Sequence, residues 1–283
     1  MNYLINKMFK LTSIIIFFLY LHIGLASYNL THAEIGVYLS GAAYCEKNFY
    51  PTMKLQGPAN GFVVTGILHD IPTDLQGFIG YLDWTKTIHI VLRGSSSKLN
   101  WLDDFEVKQI DYITWPDCKC KVHDGFYKAA LGLRDETIRQ LKLLMGKKPR
   151  YRIMLNAHSL GASTVDLLSM ELLSEGIETE LYIYGKPRVG DKVYAQYYDS
   201  KNFEHFRHTH NKDMVPHIPT IEGFGYFHSC QEIFEDSEGN IKMCSKINCE
   251  DRTCGNQYKL TETNTEDHLY YLSHRVDCEN STK

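Results

Sequence analysis

The chain has 283 residues, of which 43% are hydrophobic, so it is long enough to bury the core of one large domain or at most two. Its formal net charge of −4 argues against a nucleic-acid-binding surface, and no run of like charges suggests a tail that binds polyanions. We therefore expect no nucleic-acid partner. No repeat, low-complexity tract or Pro/Ser-rich linker divides residues 27–283, which predicts a single domain.

The N-terminus has the pattern of a secretory signal. Lys7 and Lys10 precede or border an uncharged, mainly apolar run over residues 11–26, and small residues such as Ala26 lie at its end. This predicts that residues 1–26 are a signal peptide and that the mature chain is secreted, either outside the cell or into a digestive lumen. An uncleaved anchor is the alternative, but the run is short for a membrane span.

Strand and helix patterns alternate through the middle of the chain. Helical spacing of apolar residues predicts helices at 32–45, 125–146 and 160–175. Strands are predicted at 61–65, 77–83, 87–92, 151–156, 181–184 and 203–209, with a hairpin at 225–244. The alternation points to an α/β fold. The turn at 83–86, between two predicted strands, and the late hairpin add antiparallel edge strands, so we expect a mixed, mostly parallel central sheet flanked by helices.

A candidate nucleophile lies where the strand 151–156 gives way to a helix. The stretch Ala157-His-Ser-Leu-Gly161 places Ser159 in a tight turn of small residues. Such a turn can expose the hydroxyl and direct the N–H of Leu160 at a developing oxyanion. The pattern also fits an ordinary strand-to-helix turn, so the base and the acid have to come from elsewhere in the chain.

Two later segments supply a candidate acid and base. Asp213 follows the strand 203–209 in a loop that contains Pro216 and Pro219, and His268 stands at the start of an aromatic run near the C-terminus. The chain order serine, aspartate, histidine is the nucleophile–acid–base order of strand–turn–helix hydrolases. The sequence therefore predicts a catalytic triad.

A Gly-Ser turn after the strand 87–92 is a candidate for the second oxyanion donor. The N–H of Ser95 would act there together with that of Leu160. Directly beyond, Trp101 and Leu102 lie on the apolar side of an amphipathic pattern over 98–105. On pattern alone this segment is either a lid or ordinary core packing.

The eight cysteines favour disulfides, because an even number in a secreted chain is typical of a disulfide framework. A zinc site is the alternative, since Cys244, Cys249 and Cys254 cluster near His228, but the chain has no C-x-x-C pair. We therefore expect no metal. Two glycosylation sequons, at Asn29 and Asn280, lie near the two ends of the mature chain and agree with secretion.

Several motifs together resemble a known family, the class 3 lipases. These are secreted fungal-type triacylglycerol lipases, with feruloyl esterase relatives, and they have the α/β-hydrolase fold. The resemblance extends over about residues 32–278, and in chain order the matching motifs are Tyr44-Cys45, Val91–Ser97, Asn100-Trp101, Val122–Phe126, Ala157–Gly161, Gly185–Gly190, Asp213–His217 and Asp267–Tyr271.

The resemblance implies roles for individual residues. It implies that Ser159 is the nucleophile, Asp213 the orienting acid and His268 the base. It implies that Ser95 is the oxyanion residue, that Asp104 steadies this serine when a lid opens, and that residues 98–105, with Trp101 and Leu102, form that short helical lid.

The resemblance also implies disulfide pairs. It suggests Cys45–Cys278 and, less firmly because of its two-residue spacing, Cys118–Cys120. The pair Cys244–Cys254 is then plausible and leaves Cys230 with Cys249, although connectivity is not fixed by sequence.

The expected function is that of a secreted serine carboxylic-ester hydrolase acting on lipid esters, most readily triacylglycerols. The chemistry requires no cofactor. The expected partners are the lipid-ester substrate and, through the lid, a transient contact with the lipid interface; no obligate protein partner is expected, so the protein would be a monomer. A phospholipase or feruloyl-type esterase on the same scaffold is one alternative, and a catalytically inactive lipid-binding protein is another.

Overall fold

A computed structural model describes residues 28–94, 106–201 and 203–283. The predicted signal peptide, Ser95 and the predicted lid segment 98–105 lie outside these residues. Within the described ranges, no helix has both the length and the apolar character needed to cross a membrane.

Helices and strands alternate along much of the described chain. The helices are α1 (Leu30–Ala42), α2 (Asp124–Lys147), α3 (Leu160–Ser174), α4 (Lys192–Asp199), α5 (Ile221–Phe224) and α6 (Cys278–Ser281). The strands are β1 (Val63–Asp70), β2 (Leu75–Leu82), β3 (Thr87–Leu92), β4 (Gln109–Asp111), β5 (Lys121–His123), β6 (Arg152–His158), β7 (Glu180–Tyr184), β8 (Gly190–Asp191), β9 (His205–His210), β10 (Tyr226–Phe227), β11 (Glu232–Glu235), β12 (Ile241–Met243), β13 (Tyr270–Tyr271) and β14 (His274–Arg275).

The main sheet has eight strands in the order β1-β2-β3-β6-β7-β9-β11-β12. Its centre is parallel from β3 to β11, whereas β1, β2 and β12 pair antiparallel at the two edges. The prediction of a mixed, mostly parallel α/β sheet is thereby confirmed. The carboxyl ends of the parallel strands meet at one edge, where functional groups of such sheets collect.

Both faces of the central strands are covered by helices. In β6, Ile153, Leu155 and Ala157 pack into the core that includes α2 and α3, while Met154 joins the separate core beneath α1. Successive side chains of a strand point to opposite faces, so α1 and the α2–α3 pair lie on opposite sides of the sheet. This two-sided burial explains the continuous apolar runs of the parallel strands.

Two predicted elements, a strand and a hairpin, differ from the structure. The strand predicted at 61–65 is β1 and extends to Asp70; its register shifts between Val64 and Gly66, and a glycine in a strand interior is typical of such a bulge. The hairpin predicted at 225–244 is also partly wrong. Only β11 and β12 form it, because β10 pairs with β8 in a second sheet.

Four disulfides link the eight cysteines, namely Cys45–Cys278, Cys118–Cys120, Cys230–Cys249 and Cys244–Cys254. No cysteine is therefore free to bind zinc as a thiolate, which contradicts the zinc alternative. The first bridge spans 233 residues and joins the end of α1 to the C-terminal segment. Closing so long a loop restricts the unfolded chain strongly.

Candidate active site

The Ser159 turn is as sharp as the sequence predicts. β6 ends at His158 and α3 begins at Leu160, so one residue reverses the chain, and Ser159 adopts φ 61° and ψ −134° to do so. A positive φ is uncommon outside glycine and marks a strained position. The turn also needs a glycine at 161, since a Cβ there would lie 2.3 Å from the carbonyl oxygen of Arg93.

Two alanines close to Ser159, Ala157 and Ala162, lie in the core. Ala157 pairs in register with Leu92 and Ile183 inside the sheet, and Ala162 is fully buried in the first turn of α3. The N–H of Ala162 donates to the Ser159 carbonyl at 2.9 Å. Both methyl groups are thus accommodated in the core.

The start of α3 supplies one candidate oxyanion donor. Leu160 is the first residue of the helix, and the first N–H groups of a helix have no intrahelical acceptor. Gly94 packs against the nucleophile from the end of β3; a Cβ on it would lie 2.8 Å from Cβ of Ser159. The next residue is Ser95, so its role as second donor remains a prediction, as do the roles of lid residues Trp101, Leu102 and Asp104 outside the described ranges.

Asp213 and His268, separated by 55 residues in sequence, meet at the carboxyl edge of the sheet. Nδ1 of His268 lies 2.9 Å from Oδ2 of Asp213, and each side chain is almost completely buried. The Tyr271 hydroxyl donates to the same oxygen, and the Val215 N–H donates to Oδ1 at 2.8 Å. The carboxylate thus has three donors.

The electrostatics keep this carboxylate ionised. Burial alone would raise the pKa of Asp213, but the opposing effect of the neighbouring His268, with the hydrogen bonds from His268, Tyr271 and Val215, lowers the pKa below its ordinary value. An ionised Asp213 accepts the Nδ1 proton of His268, which leaves the lone pair of the ring on Nε2.

The candidate base atom is Nε2 of His268. It is buried and has no hydrogen-bond partner among the described residues, Ser159 included. Ser159 and His268 both contact the end of β7. Ser159 N–H donates to the Tyr184 carbonyl at 2.9 Å, and the next residue, Gly185, borders the His268 ring. Catalytic hydrogen bonds are often long before substrate binds and tighten in the complex.

The acid and base loops are joined by main-chain hydrogen bonds. Met214 donates to the Asn264 carbonyl at 3.0 Å, and Asn264 donates to that of Lys212 at 2.8 Å. Beside the His268 ring, Gly185 adopts φ +57°, and a Cβ on it would lie 2.7 Å from Cε1 of His268. A glycine is needed here for both reasons.

Arg188 holds the segment that follows Asp213. Its Nη1 donates to the carbonyl oxygens of His217 at 2.6 Å and Pro219 at 3.1 Å. Nε and Nη2 form a two-pronged pair with Glu250, each at 2.9 Å, and the guanidinium is nearly fully buried. This planar fork ties the acid loop to the cysteine-rich segment around Cys249.

A cavity of about 300 Å³ lies beside the start of α3, next to the Ser159 turn. Leu75, Phe126, Ala129 and Leu160 provide apolar walls. Since Leu160 is also the candidate oxyanion residue, the cavity adjoins the candidate site.

Sequence reasoning gave no role to Tyr271, Gly185 or Arg188, although all three lie in motifs that carried the family resemblance. The signal was present for Gly185, which directly follows the predicted strand 181–184. No pattern in a single sequence shows that Tyr271 and Arg188 turn inward, since tyrosine and arginine are usually placed at surfaces or partly exposed.

The strand–serine–helix turn, the Asp213–His268 pair and the mixed sheet define an α/β-hydrolase fold with a candidate Ser-Asp-His triad. The sequence pattern of the family described as Lipase (class 3) matches residues 89–223. The chain belongs to this class 3 lipase family.

Curated relatives and solved structures agree with this assignment. The lipase of Rhizomucor miehei is 32% identical over 206 residues, covering 70% of this chain and 55% of the relative. The secreted mono- and diacylglycerol lipase A of Penicillium cyclopium is 30% identical over 213 residues, covering 75% and 66%. This chain thus spans from about half to just under two thirds of these relatives. The structure of Rhizomucor miehei triacylglyceride lipase superposes with a TM-score of 0.80 at 27% identity, covering 88% of this chain and 96% of that one.

Proposed function

We propose that the protein is a secreted serine carboxylic-ester hydrolase that acts on lipid esters, most readily triacylglycerols. The observation that carries the proposal is the buried Asp213–His268 hydrogen bond beside the strained Ser159 turn. The names of the similar proteins, a triacylglyceride lipase and a secreted mono- and diacylglycerol lipase, support the same chemistry.

The reaction would proceed through an acyl-enzyme. Oγ of Ser159 attacks the ester carbonyl carbon while its proton passes to Nε2 of His268, and Asp213 stabilises the imidazolium. The N–H groups of Leu160 and Ser95 bind the oxyanion; the loss of one such donor typically costs about 10²–10³ in turnover. The carbon–oxygen bond to the alcohol then breaks as His268 returns the proton to the leaving oxygen. Water, deprotonated by the same nitrogen, then attacks the acyl carbonyl; the bond to Oγ of Ser159 breaks, His268 returns the proton to Oγ, and the fatty acid is released.

The surroundings favour a lipid acyl group. The apolar walls of the cavity beside Leu160 suit an aliphatic chain, and Trp101 and Leu102 of the predicted lid would present apolar surface to a lipid interface. We propose a transient contact of the lid with that interface and a monomeric protein. Nothing in this chemistry calls for a cofactor or a metal.

Replacement of the nucleophile tests the proposal. Ser159→Ala should abolish hydrolysis of a p-nitrophenyl ester and of a triacylglycerol emulsion. Ser174→Ala is the matched control, because Ser174 ends the helix that follows Ser159, and among the described residues its hydroxyl bonds only the Glu171 carbonyl. Full activity of Ser159→Ala would overturn the proposal.

A second measurement separates the alternatives. A panel of tri-, di- and monoacylglycerols, phospholipids and feruloyl esters ranks substrates by kcat/KM, and the proposal expects an acylglycerol first. A fluorophosphonate probe reports the nucleophile independently of substrate choice. Absence of labelling at Ser159 in the folded wild-type protein would instead favour a non-catalytic lipid-binding protein.

Secretion is proposed on the residues at both ends. We propose cleavage after residue 26 and N-linked glycans on Asn29 and Asn280, whose side chains are exposed. Oδ1 of Asn29 caps α1 by accepting from His32 N–H at 3.2 Å, and a glycan on Nδ2 leaves that oxygen free to do so. N-terminal sequencing and glycosidase digestion of material from a eukaryotic host check both; a start near Met1 or an unchanged mass would contradict them.

A further inference from the structure

A chain of hydrogen bonds behind the candidate triad links its three elements. The Gly94 N–H donates to the Tyr44 hydroxyl at 3.2 Å, and that hydroxyl lies 2.7 Å from Nδ1 of His158. Nε2 of His158 in turn lies 2.8 Å from the main-chain carbonyl of His268. The chain therefore runs from the residue before Ser95, through the neighbour of Ser159, to the main chain of the base.

The direction of every bond follows from its partners. A carbonyl oxygen can only accept a hydrogen bond, so Nε2 of His158 carries the hydrogen and donates a hydrogen bond to the main-chain carbonyl of His268. Burial, together with the nearby His268, lowers the pKa of His158 to about 3, so its ring is neutral and Nδ1 is an acceptor. The Tyr44 hydroxyl must then donate to Nδ1, and its oxygen accepts from Gly94. The chain is thus fully satisfied in one direction only.

Each member borders a group that the proposed reaction uses. The ring centres of His158 and His268 are 4.3 Å apart. A Cβ on Gly94 would lie 2.5 Å from the Tyr44 hydroxyl and 2.8 Å from Cβ of Ser159, so there is no slack between these groups. Tyr44 is itself anchored, since the next residue, Cys45, is bridged to Cys278.

We propose that Tyr44 and His158 are positioning residues for the reaction. Through His158, Tyr44 fixes the position of Gly94, which follows β3 and precedes Ser95, relative to the main chain of His268. The inference rests on the proposed function, since it assigns a role within that chemistry. Without the Tyr44 hydroxyl, the buried Nδ1 of His158 loses its donor and Gly94 loses its acceptor, so both are free to shift. A small displacement of the oxyanion donors affects the transition state more than the ground state.

Tyr44→Phe is the central test, with Tyr50→Phe as the matched control. Tyr50 follows α1 as Tyr44 does, and its buried hydroxyl donates to the Ala43 carbonyl at 2.6 Å and accepts from Gln76 at 2.8 Å. Tyr50→Phe therefore removes a similarly buried and hydrogen-bonded hydroxyl that does not contact the candidate triad. For a soluble p-nitrophenyl ester, we expect Tyr44→Phe to lower kcat about tenfold with KM unchanged, and Tyr50→Phe to change neither.

A double-mutant cycle tests whether the chain acts as a unit. His158→Gln retains a donor and an acceptor but not the ring geometry, and its effect should not add to that of Tyr44→Phe. The rate of fluorophosphonate labelling is the second readout, because it depends on the serine and not on lipid preference. If the wild-type protein reacts with the probe but hydrolyses none of the lipids in the panel, the proposed substrate class is refuted and the positioning role is still tested by the labelling rates. Wild-type labelling rate and kcat in Tyr44→Phe, or an equal loss in Tyr50→Phe, would overturn the positioning role.

Discussion

Tyr271 donates its hydroxyl hydrogen to the same oxygen of Asp213 that accepts the Nδ1–H of His268. The acid of the candidate triad is therefore held by a tyrosine three residues beyond the candidate base. Because Oδ2 accepts both bonds, the orientation of the carboxylate and that of the imidazole are set together.

Tyr271→Phe should weaken both the fold and the reaction. A hydrogen bond to a charged group contributes about 1.5–3 kcal/mol, so we expect the free energy of unfolding to fall by that amount near neutral pH. The pKa of Asp213 should rise toward its ordinary value. Stability from a lowered carboxyl pKa is present above that value and lost as pH falls, so the acid-unfolding midpoint should move to higher pH. We expect kcat/KM to fall about tenfold, much less than on replacing the aspartate.

Tyr112→Phe is the control for that substitution. Its hydroxyl also donates to a buried carboxylate, that of Glu171 at 3.0 Å, but Glu171 lies near the end of α3, whereas Ser159 precedes its start. We expect a comparable loss of stability in denaturant titrations with kcat/KM unchanged. Equal losses of activity in both variants would show that Tyr271 acts only through general stability.

Gly185→Ala should inactivate the protein while leaving it folded. The new Cβ would lie 2.7 Å from Cε1 of His268, so the ring has to move, and a displacement of about 1 Å can cost about 10² in rate. Gly176→Ala is the control, since Gly176 also has a positive φ, +74°, but open space around its Cα. Both variants should lose about 1–2 kcal/mol of stability to backbone strain. Activity on a p-nitrophenyl ester should fall only in Gly185→Ala.

Much of the fold could be predicted because its signals are local. The apolar runs of β3, β6 and β7 and the helical spacing of α2 lie in single segments, and the structure gives α2 as Asp124–Lys147 against a predicted 125–146. Non-local pairing could not be predicted in the same way. β4, β5, β8 and β10 are two or three residues long and form a sheet only because distant segments meet.

The same distinction between local signals and non-local contacts applies to the residues of the candidate site. Ser159, Asp213 and His268 each carry a local signal, namely a tight turn, a loop after a strand and an aromatic run. The positions of Tyr44, Tyr271 and Arg188 depend on contacts between segments far apart in sequence, and a buried hydrogen bond leaves no periodicity in the residues that make it.

Arg188→Lys should impair the reaction from a distance. Lysine keeps the charge but cannot bind the Glu250 carboxylate and two carbonyl oxygens at once, so the segment after Asp213 loses its tie. We expect about a tenfold loss of kcat/KM and a free energy of unfolding lower by about 1–3 kcal/mol. Arg139→Lys breaks a similar fork to Glu136 at the exposed surface of α2 and should leave both unchanged. Unchanged kinetics of Arg188→Lys would refute the tie.

Buried neutral histidines should make the fold acid-sensitive, and His208 is the clearest case. Burial lowers its pKa from 6.5 to about 3, and neither ring nitrogen has a hydrogen-bond partner among the described residues. As pH falls below 6.5, the unfolded chain takes up a proton that the folded ring refuses, so stability is full above that pH and is lost as pH falls toward the folded value.

His208→Phe should therefore flatten the dependence of stability on pH. The ring lies among aromatic neighbours, with its centre 4.8 Å from that of Tyr184 and 5.5 Å from that of Tyr28, so phenylalanine suits the site. Between about pH 7.5 and pH 5, the loss of unfolding free energy should be smaller than in the wild type by up to about 2 kcal/mol, the value for one histidine that titrates only when unfolded. Urea titrations at the two pH values measure it. Parallel losses in both proteins would mean that His208 takes up its proton in the folded state.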